Sequence, residues 1–172
     1  MSHSVTMNHC KAILGESLLA CLAATICALV IDVPVSAMFI GWIAFFTRGI
    51  TVRDGAINLV CVLIGLVIGI AAGSASAMLA PYLGAFTITP VALSVTLVVL
   101  SLRLLPVINN LLGLFLGVVC YFASHLPATL DTFVELSIAS ALGVIAGLLA
   151  SLVQKRWSEA KSQTADVSIT LP

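Results

Sequence analysis

Charged side chains are scarce in this sequence. Only 8% of its 172 residues are Asp, Glu, Lys or Arg, whereas soluble domains carry roughly a quarter. So few charges cannot cover a water-exposed surface. The seven basic and seven acidic residues also cancel to a formal net charge of zero, which excludes the basic surface of a nucleic-acid-binding protein. We therefore expect no nucleic-acid partner.

Motifs of enzymes and of metal sites are missing as well. The sequence has no GxSxG, HExxH or P-loop motif. Its three histidines lack acidic neighbours at ligand spacing, and its five cysteines include no CxxC. We therefore predict that the protein is not an enzyme and has no catalytic, metal-binding or cofactor-binding residues.

Apolar residues make up 61% of the chain, and they form runs close to the ~20 residues that a membrane-spanning helix needs. The sequence predicts an all-α membrane domain over residues 13–154, so the lipid bilayer is its main expected partner. A polar segment, 1–12, precedes this domain. A polar tail, 155–172, follows and is predicted to be disordered. The six predicted transmembrane helices cover residues 13–31, 35–47, 56–80, 90–105, 107–124 and 133–153.

Prolines and capping residues set these boundaries. Asp54 and Thr89 are predicted N-caps, and Thr132 with Glu135 has the spacing of a capping box. Proline is unfavourable inside a helix, and five prolines fall in the predicted connections. They are Pro34, Pro81, Pro90, Pro106 and Pro127.

The basic residues predict the orientation. With six spans, all seven Lys and Arg lie in the terminal segments and in the second and fourth connections. Because basic residues favour the cytoplasmic side, both termini are predicted to be cytoplasmic.

A weak internal repeat relates the two halves of the chain. The segment 39–46 (FIGWIAFF) matches 115–122 (FLGVVCYF), and 65–69 (GLVIG) matches 143–147 (GVIAG). A unit of three spans places its two copies in opposite orientations, so we predict a 3+3 inverted repeat of the kind found in transporters. Chance similarity between apolar segments is the alternative.

Glycines recur at four-residue spacing, which puts them on one helix face and lets backbones approach closely in lipid. A smooth lining for a narrow pore is the alternative. If the glycines pack, replacing Gly69 or Gly117 by Leu should destabilise the protein, with Ala much milder. The predicted packing residues are Gly41, Gly65, Gly69, Gly73, Gly113, Gly117, Gly143 and Gly147.

Four polar residues are candidates for a solute pathway. Glu16 lies about one turn into the first span, where it either forms a gate or extends to the membrane surface. Asn58, Asn109 and Asn110 lie near the inner ends of their spans, where they either contact solute or form interhelical hydrogen bonds. The pairs Phe45-Phe46 and Tyr121-Phe122 indicate aromatic belts or gates.

The segments Phe39-Ile40-Gly41, Phe45-Phe46, Gly49, Gly65–Gly69 and Gly113–Phe122 resemble the YcdZ-like family of bacterial inner-membrane proteins of unknown function. The resemblance implies a multi-pass protein of the bacterial cytoplasmic membrane and brings no substrate. We predict a small transporter or channel, a homo-oligomer, for a small neutral or amphiphilic solute. The alternative is a non-transporting regulatory or assembly subunit that binds partners through its glycine-rich helix faces.

Overall fold

The structure is a computed structural model that describes the backbone of residues 2–169 and the side chains of residues 13–156. The described backbone forms helices and turns and contains no strand. A π-helical turn, Cys27–Ile31, continues the first helix, and a 3₁₀ turn, Gly84–Thr87, joins the third to the fourth. The helices are α1 (Ser2–Ile26), α2 (Val35–Phe45), α3 (Val52–Leu83), α4 (Ile88–Leu102), α5 (Leu111–Ser124) and α6 (Leu130–Ile169).

Three helical stretches are long and apolar enough to cross a membrane: Ile13–Ile31, Val52–Leu102 and Leu130–Arg156. The second contains both α3 and α4, which separate at Gly84, where the backbone has a φ of 53°. Two further apolar helices, α2 and α5, are shorter. This all-helical, apolar architecture is that of a membrane protein.

Helix α3 begins one turn earlier than its predicted cap. Thr51, not Asp54, is the N-cap, and its hydroxyl oxygen accepts a hydrogen bond from the Asp54 backbone N–H at 3.1 Å. At the start of α6, the Thr129 hydroxyl accepts a bond from the Thr132 N–H at 3.3 Å. Thr132 is therefore the third residue of α6 rather than its cap. At each of these starts, two capping residues lie three positions apart, and spacing alone does not decide which of them caps the helix. The sequence pattern therefore predicts both starts one turn too late.

The α3–α4 connection also lies later than the prolines predict. Pro81 is inside α3, two residues before its end, and α4 begins at Ile88, ahead of Thr89 and Pro90. Pro81 removes only one backbone hydrogen bond close to the helix terminus. Pro90 falls in the first turn of α4, where backbone N–H groups lack helical partners in any case.

The second and fifth helices are shorter than predicted, and the sixth is longer. Helix α2 ends at Phe45, and α5 begins at Leu111 because the Asn110 side chain caps it. Helix α6 continues to Ile169, so the tail predicted to be disordered is helical up to that residue. No glycine or proline interrupts residues 148–169, and that composition permits a helix to continue. Residues 170–172 lie outside the described backbone.

Helix α2 packs against α6 through two glycines. The backbone of Gly41 lies against the carbonyl group of Ser140, and the backbone of Gly143 lies against the carbonyl group of Met38. In both places a Cβ atom would overlap the facing carbonyl oxygen. The two backbones therefore approach as closely as they do only because both residues are glycine.

Helix α3 packs against α5 in the same way. Gly65 lies against the carbonyl group of Leu114, and Gly117 lies against the carbonyl group of Val62. Again, a Cβ atom on either glycine would overlap the facing oxygen. Of all the contacts that the described glycines make, those of Gly41 and Gly143 and those of Gly65 and Gly117 bring two helix backbones closest together.

The two crossings correspond residue by residue. Gly41 and Gly117 are 76 residues apart, and so are Met38 and Leu114. On the partner helices, Gly65 and Gly143 are 78 residues apart, as are Val62 and Ser140. One set of contacts is thus made twice, once between α2 and α6 and once between α5 and α3.

Helices α1 and α4 lie at the periphery, and each is anchored near its C-terminal end. Only 6% of the α1 stretch is buried, but Cys27 at its end is fully buried in the core near Met38. Val99 of α4 is likewise fully buried, next to Leu114. Each anchor lies seven residues before a proline, Pro34 or Pro106. The rest of residues 13–26 and the rest of α4 are largely exposed.

Candidate functional site

Polar side chains cluster where α2 ends and where α3 and α5 begin. We call this end, which also carries Arg53, Lys155 and Arg156, the basic end of the bundle. The cluster, here called the amide network, consists of Thr47, Arg48, Asp54, Asn58, Asn109 and Asn110.

Asn58 is the buried centre of the amide network. Its side chain is fully buried, and its Nδ2 group donates to the carbonyl oxygens of Ala44 at 2.8 Å and Phe45 at 3.3 Å. These carbonyls belong to the last turn of α2, which lacks the partners of a continuing helix, and the Ala44 carbonyl also accepts a hydrogen bond from the Thr47 N–H at 3.1 Å. Asn58 therefore caps the C-terminus of α2 from the first turns of α3.

Asn110 joins this centre to α5. Its Nδ2 group donates to the Asn58 Oδ1 atom at 2.7 Å and to the Thr47 hydroxyl oxygen at 2.6 Å. Its Oδ1 atom accepts a hydrogen bond from the Gly113 N–H at 3.2 Å, which makes it the N-cap of α5. A single side chain thus connects the ends of three helices.

Arg48 forms the outer part of the network. Its guanidinium donates to the Asn109 Oδ1 atom at 2.8 Å and to the Val107 carbonyl at 3.2 Å. Its Nε atom lies 3.5 Å from the Asp54 carboxylate, which also accepts a bond from the Thr51 hydroxyl at 2.7 Å. Arg48 therefore links the α2–α3 connection to the α4–α5 connection.

A cavity of about 630 Å³ lies towards the other end of the bundle, between α3, α4 and α5. Its polar groups include Ser76, Thr87 and Thr96, and its aromatic lining comes from Phe115 and Phe122. This size and mostly apolar lining are typical of small-molecule sites. Because Thr96 and Phe122 are also exposed at the protein surface, the cavity opens to the surroundings of the protein.

A second cavity of about 410 Å³ separates α3 from α4. On α3 it is lined partly by Ala71, Ala72 and Ala75, whose small side chains leave the gap unfilled. Val91 and Val95 of α4 line both cavities. The segment of α4 around Val91 and Val95 is therefore separated from the bundle by a cavity on each of two sides.

A family model described as "Protein of unknown function (DUF1097)" matches residues 13–154. The chain belongs to the DUF1097 family. No curated protein and no solved structure matches. The matched region contains the whole amide network and both cavities, so each belongs to the part of the chain shared with DUF1097 proteins. The expectation of an uncharacterised family is confirmed at this level.

The structure of this DUF1097 protein brings three of the four predicted pathway residues together. Asn58, Asn109 and Asn110 all belong to the amide network, Asn109 at its exposed edge. Glu16 lies elsewhere, partly buried on α1, and its carboxylate forms no hydrogen bond or ion pair with another residue whose side chain is described. The amides point at protein partners, which is the arrangement expected for interhelical hydrogen bonds.

No sequence pattern indicates Thr47, Arg48 and Asp54 as members of the site. The contact of Arg48 with Asn109 spans 61 residues, and no local spacing predicts a pairing over that distance. The cavity lining also went unpredicted, although Thr87 and Ser76 stand out as hydroxyls within apolar helices. Within residues 13–156, no three His, Cys, Asp or Glu side chains are placed to hold a metal ion.

The other four predicted packing glycines face mainly side chains, although a Cβ atom on Gly69 would also lie 3.3 Å from the Val118 backbone. A Cβ atom on Gly69 would lie 3.0 Å from the Tyr121 Cβ, and one on Gly147 would lie 3.1 Å from the Phe45 Cβ. Gly73 faces the Tyr121 ring, and Gly113 faces the Cys61 side chain and Asn110.

The aromatic pairs each divide into one buried and one exposed ring. Phe45 is fully buried and Tyr121 is 7% exposed, whereas Phe46 and Phe122 are 42% and 45% exposed. Only the second ring of each pair is available to an aromatic belt. The first ring packs on glycine in the core.

Proposed function

We propose that the protein is a small membrane transporter or channel for a small neutral or amphiphilic solute. The observation that carries the proposal is the pair of short helices, α2 and α5, at corresponding positions in the two halves of the chain. Each crosses the long glycine-bearing helix of the other half. Short or interrupted apolar segments at corresponding positions of two halves mark the binding regions of transporters.

The duplicated contacts support an inverted repeat of three helices. In this proposal α1, α2 and α3 correspond to α4, α5 and α6, and six spans cross the bilayer. Helix α2 has 11 residues and covers only about 16 Å of the ~30 Å hydrocarbon core. Non-helical backbone at such depth is tolerated where protein surrounds it, and α2 has buried residues along its whole length.

The proposed orientation places the basic end in the cytoplasm, together with both termini. The network contacts bring the end of α2 and the starts of α3 and α5 to this end, as a six-span path requires. Lys155 of α6 reaches the Ile50 carbonyl at 3.5 Å on the same side. We place the protein in the bacterial cytoplasmic membrane, consistent with its YcdZ-like segments.

Reporter fusions test this topology. A reporter enzyme active only outside the cytoplasm should be active when fused after Tyr82 or Leu130 and inactive when fused after Arg156. Activity after Arg156, or inactivity at both of the other positions, would contradict the six-span topology.

The 630 Å³ cavity is the proposed solute site. Two of its hydroxyls already donate within the protein, Ser76 to the Ala72 carbonyl and Thr87 to the Gly84 carbonyl, both at 2.8 Å. Their oxygens retain lone pairs that can accept a hydrogen bond. A solute with an apolar part and a donor group fits this lining, and none of the lining residues is charged.

Flux measurements in proteoliposomes test the function. Vesicles containing the protein should take up glycerol, urea or erythritol faster than protein-free vesicles, as followed by stopped-flow light scattering. Thr96→Trp fills the cavity and should abolish most of that increase.

The matched control is Leu97→Trp, since Leu97 is the next residue of α4, is 58% exposed and does not line either cavity. It should leave the flux unchanged. Equal losses in the two variants, or no flux of any of the three solutes through the wild-type protein, would contradict the proposal.

One observation favours the alternative of a non-transporting regulatory or assembly subunit. The amide groups of Asn58 and Asn110 are engaged by protein atoms on both their oxygen and nitrogen sides. Such a role uses the exposed faces of α1 and α4 as contact surfaces, in a homo-oligomer or with another protein. A protein of this kind would give no flux in the experiment above.

A further inference from the structure

We propose that the amide network is a polar gate, which holds the basic end of the bundle closed and opens when Arg48 leaves its partners. The inference rests on the proposed transport function, since a gate needs a pathway. It adds the side on which the pathway closes and the residues that close it.

The network adds hydrogen bonds between segments of different helices at this end. Arg48 belongs to the α2–α3 connection, whereas its partners Val107 and Asn109 belong to the α4–α5 connection. Behind it, Asn110 donates across to both Thr47 and Asn58. Separating α5 from α2 and α3 at the basic end therefore requires these bonds to break together.

The bonds at the rim are of a kind that water can replace. The side chains of Arg48 and Asp54 are 33% and 26% exposed, so each already contacts solvent. A partly exposed ion pair contributes little net free energy because its groups are readily rehydrated. The rim can open reversibly, whereas the hydrogen bond between buried Asn58 and partly buried Asn110 behind it stabilises the closed state.

The opposite end of the bundle has no such network at the corresponding positions. With the offsets found for the glycine contacts, Asn58 corresponds to Leu136, Thr47 to Ala123 and Asn110 to Pro34. These three counterparts are apolar, whereas Arg48 and Asp54 correspond to Ser124 and Thr132, whose hydroxyls donate to nearby carbonyls, those of Tyr121 and Pro127. The two ends are therefore closed by different chemistry, and only the basic end is closed by hydrogen bonds between amides and a guanidinium group.

Two native thiols report on the two ends separately. Cys61 is fully buried three residues after Asn58, and its Cβ atom faces Gly113 just behind Asn110. Cys120 is 1% exposed and lies near the other end of α5, where its sulfur is 3.9 Å from the Ser140 hydroxyl. Opening of the gate exposes Cys61 alone, whereas unfolding of the bundle exposes both.

The experiment measures the rate of maleimide modification of each cysteine in the full-length protein, with peptide mass spectrometry to assign the site. Arg48→Met removes the charge and keeps a side chain of moderate length. It should increase the modification rate of Cys61 at least about tenfold, because it removes both hydrogen bonds that the guanidinium donates, and leave that of Cys120 unchanged. Arg53→Met is the control, since Arg53 is exposed and has no hydrogen bond or ion pair with another described side chain.

A milder variant, Asn109→Ala, removes only the exposed partner of Arg48 and should increase Cys61 modification to a smaller extent. If Cys61 stays protected in both variants, or if both variants expose Cys61 and Cys120 equally, the network is a fold element and not a gate. Labelling needs no solute, so a negative labelling result contradicts the gate without bearing on the flux experiment. Conversely, selective exposure of Cys61 in a protein that gives no flux would contradict the transport function alone.

Discussion

Gly117→Ala should lower the free energy of unfolding by about 1–3 kcal/mol, the usual cost of overpacking. The added Cβ atom would overlap the backbone carbonyl oxygen of Val62, and a backbone group cannot turn aside as a side chain can. Since Ala is about 1 kcal/mol more favourable than Gly in a helix, a loss of stability identifies the close contact. Thermal unfolding of the purified protein in detergent measures the effect.

Val119→Leu is the matched control, because it also adds one carbon to α5, at a site that is 51% exposed. It should leave the unfolding midpoint nearly unchanged. The corresponding variant Gly41→Ala, which meets the Ser140 carbonyl, should behave like Gly117→Ala. A stabilised Gly117→Ala protein would show that α3 and α5 do not approach closely.

Phe45→Ala should destabilise the protein by about 2 kcal/mol. Phe45 is fully buried, and its ring fills the space above Gly55 and Gly147. In a lipid or detergent environment the apolar ring gains little from burial itself, so we expect the cavity cost alone. That cost is about 24 cal/mol per Å³, over roughly 100 Å³ of lost side chain. The midpoint of thermal unfolding should fall accordingly.

The adjacent residue provides the control for this variant. Phe46 is 42% exposed, and Phe46→Ala creates no enclosed cavity, so its unfolding midpoint should change much less. Equal effects of the two substitutions would mean that Phe45 does not fill an internal space.

The glycine pattern could be read from the sequence because it is local. Four-residue spacing places Gly65 and Gly69 on one face of α3 whatever the partner helix is. The expectation that Ala is much milder than Leu does not hold equally at all of them. Gly117 meets backbone, where even a Cβ atom is too large, whereas Gly73 meets the end of the Tyr121 side chain. Spacing identifies the face of a helix but not the atoms opposite it.

The helix ends could be predicted only approximately. Thr51 and Asp54 are both good capping residues, and which of them caps α3 depends on where α2 ends and how the connection between the two helices runs. The position of Pro81 predicts the end of α3, but the helix continues through this proline for two more residues because little helix remains there to be disrupted. These positions are decided by tertiary contacts, which a local pattern does not contain.

The amide network could be anticipated in part. Polar residues within apolar spans drew attention to Asn58 and Asn110, yet nothing near them in the sequence indicates that they meet each other. Their hydrogen bond joins residues 52 positions apart. In the sequence, Arg48 is only one of the seven basic residues that predict the orientation. Its hydrogen bonds depend on the α4–α5 connection, which the fold brings next to it from another part of the chain.

The crossing of α2 with α6 also sets an order of events during synthesis. Gly41 meets its partner helix near Gly143, and the 102 residues between them take about 5–20 s to translate at ~5–20 residues per second. The crossing of α3 with α5 needs only the 52 residues from Gly65 to Gly117. The close contact between α3 and α5 can therefore form before α6 has been synthesised, whereas that of α2 can form only afterwards.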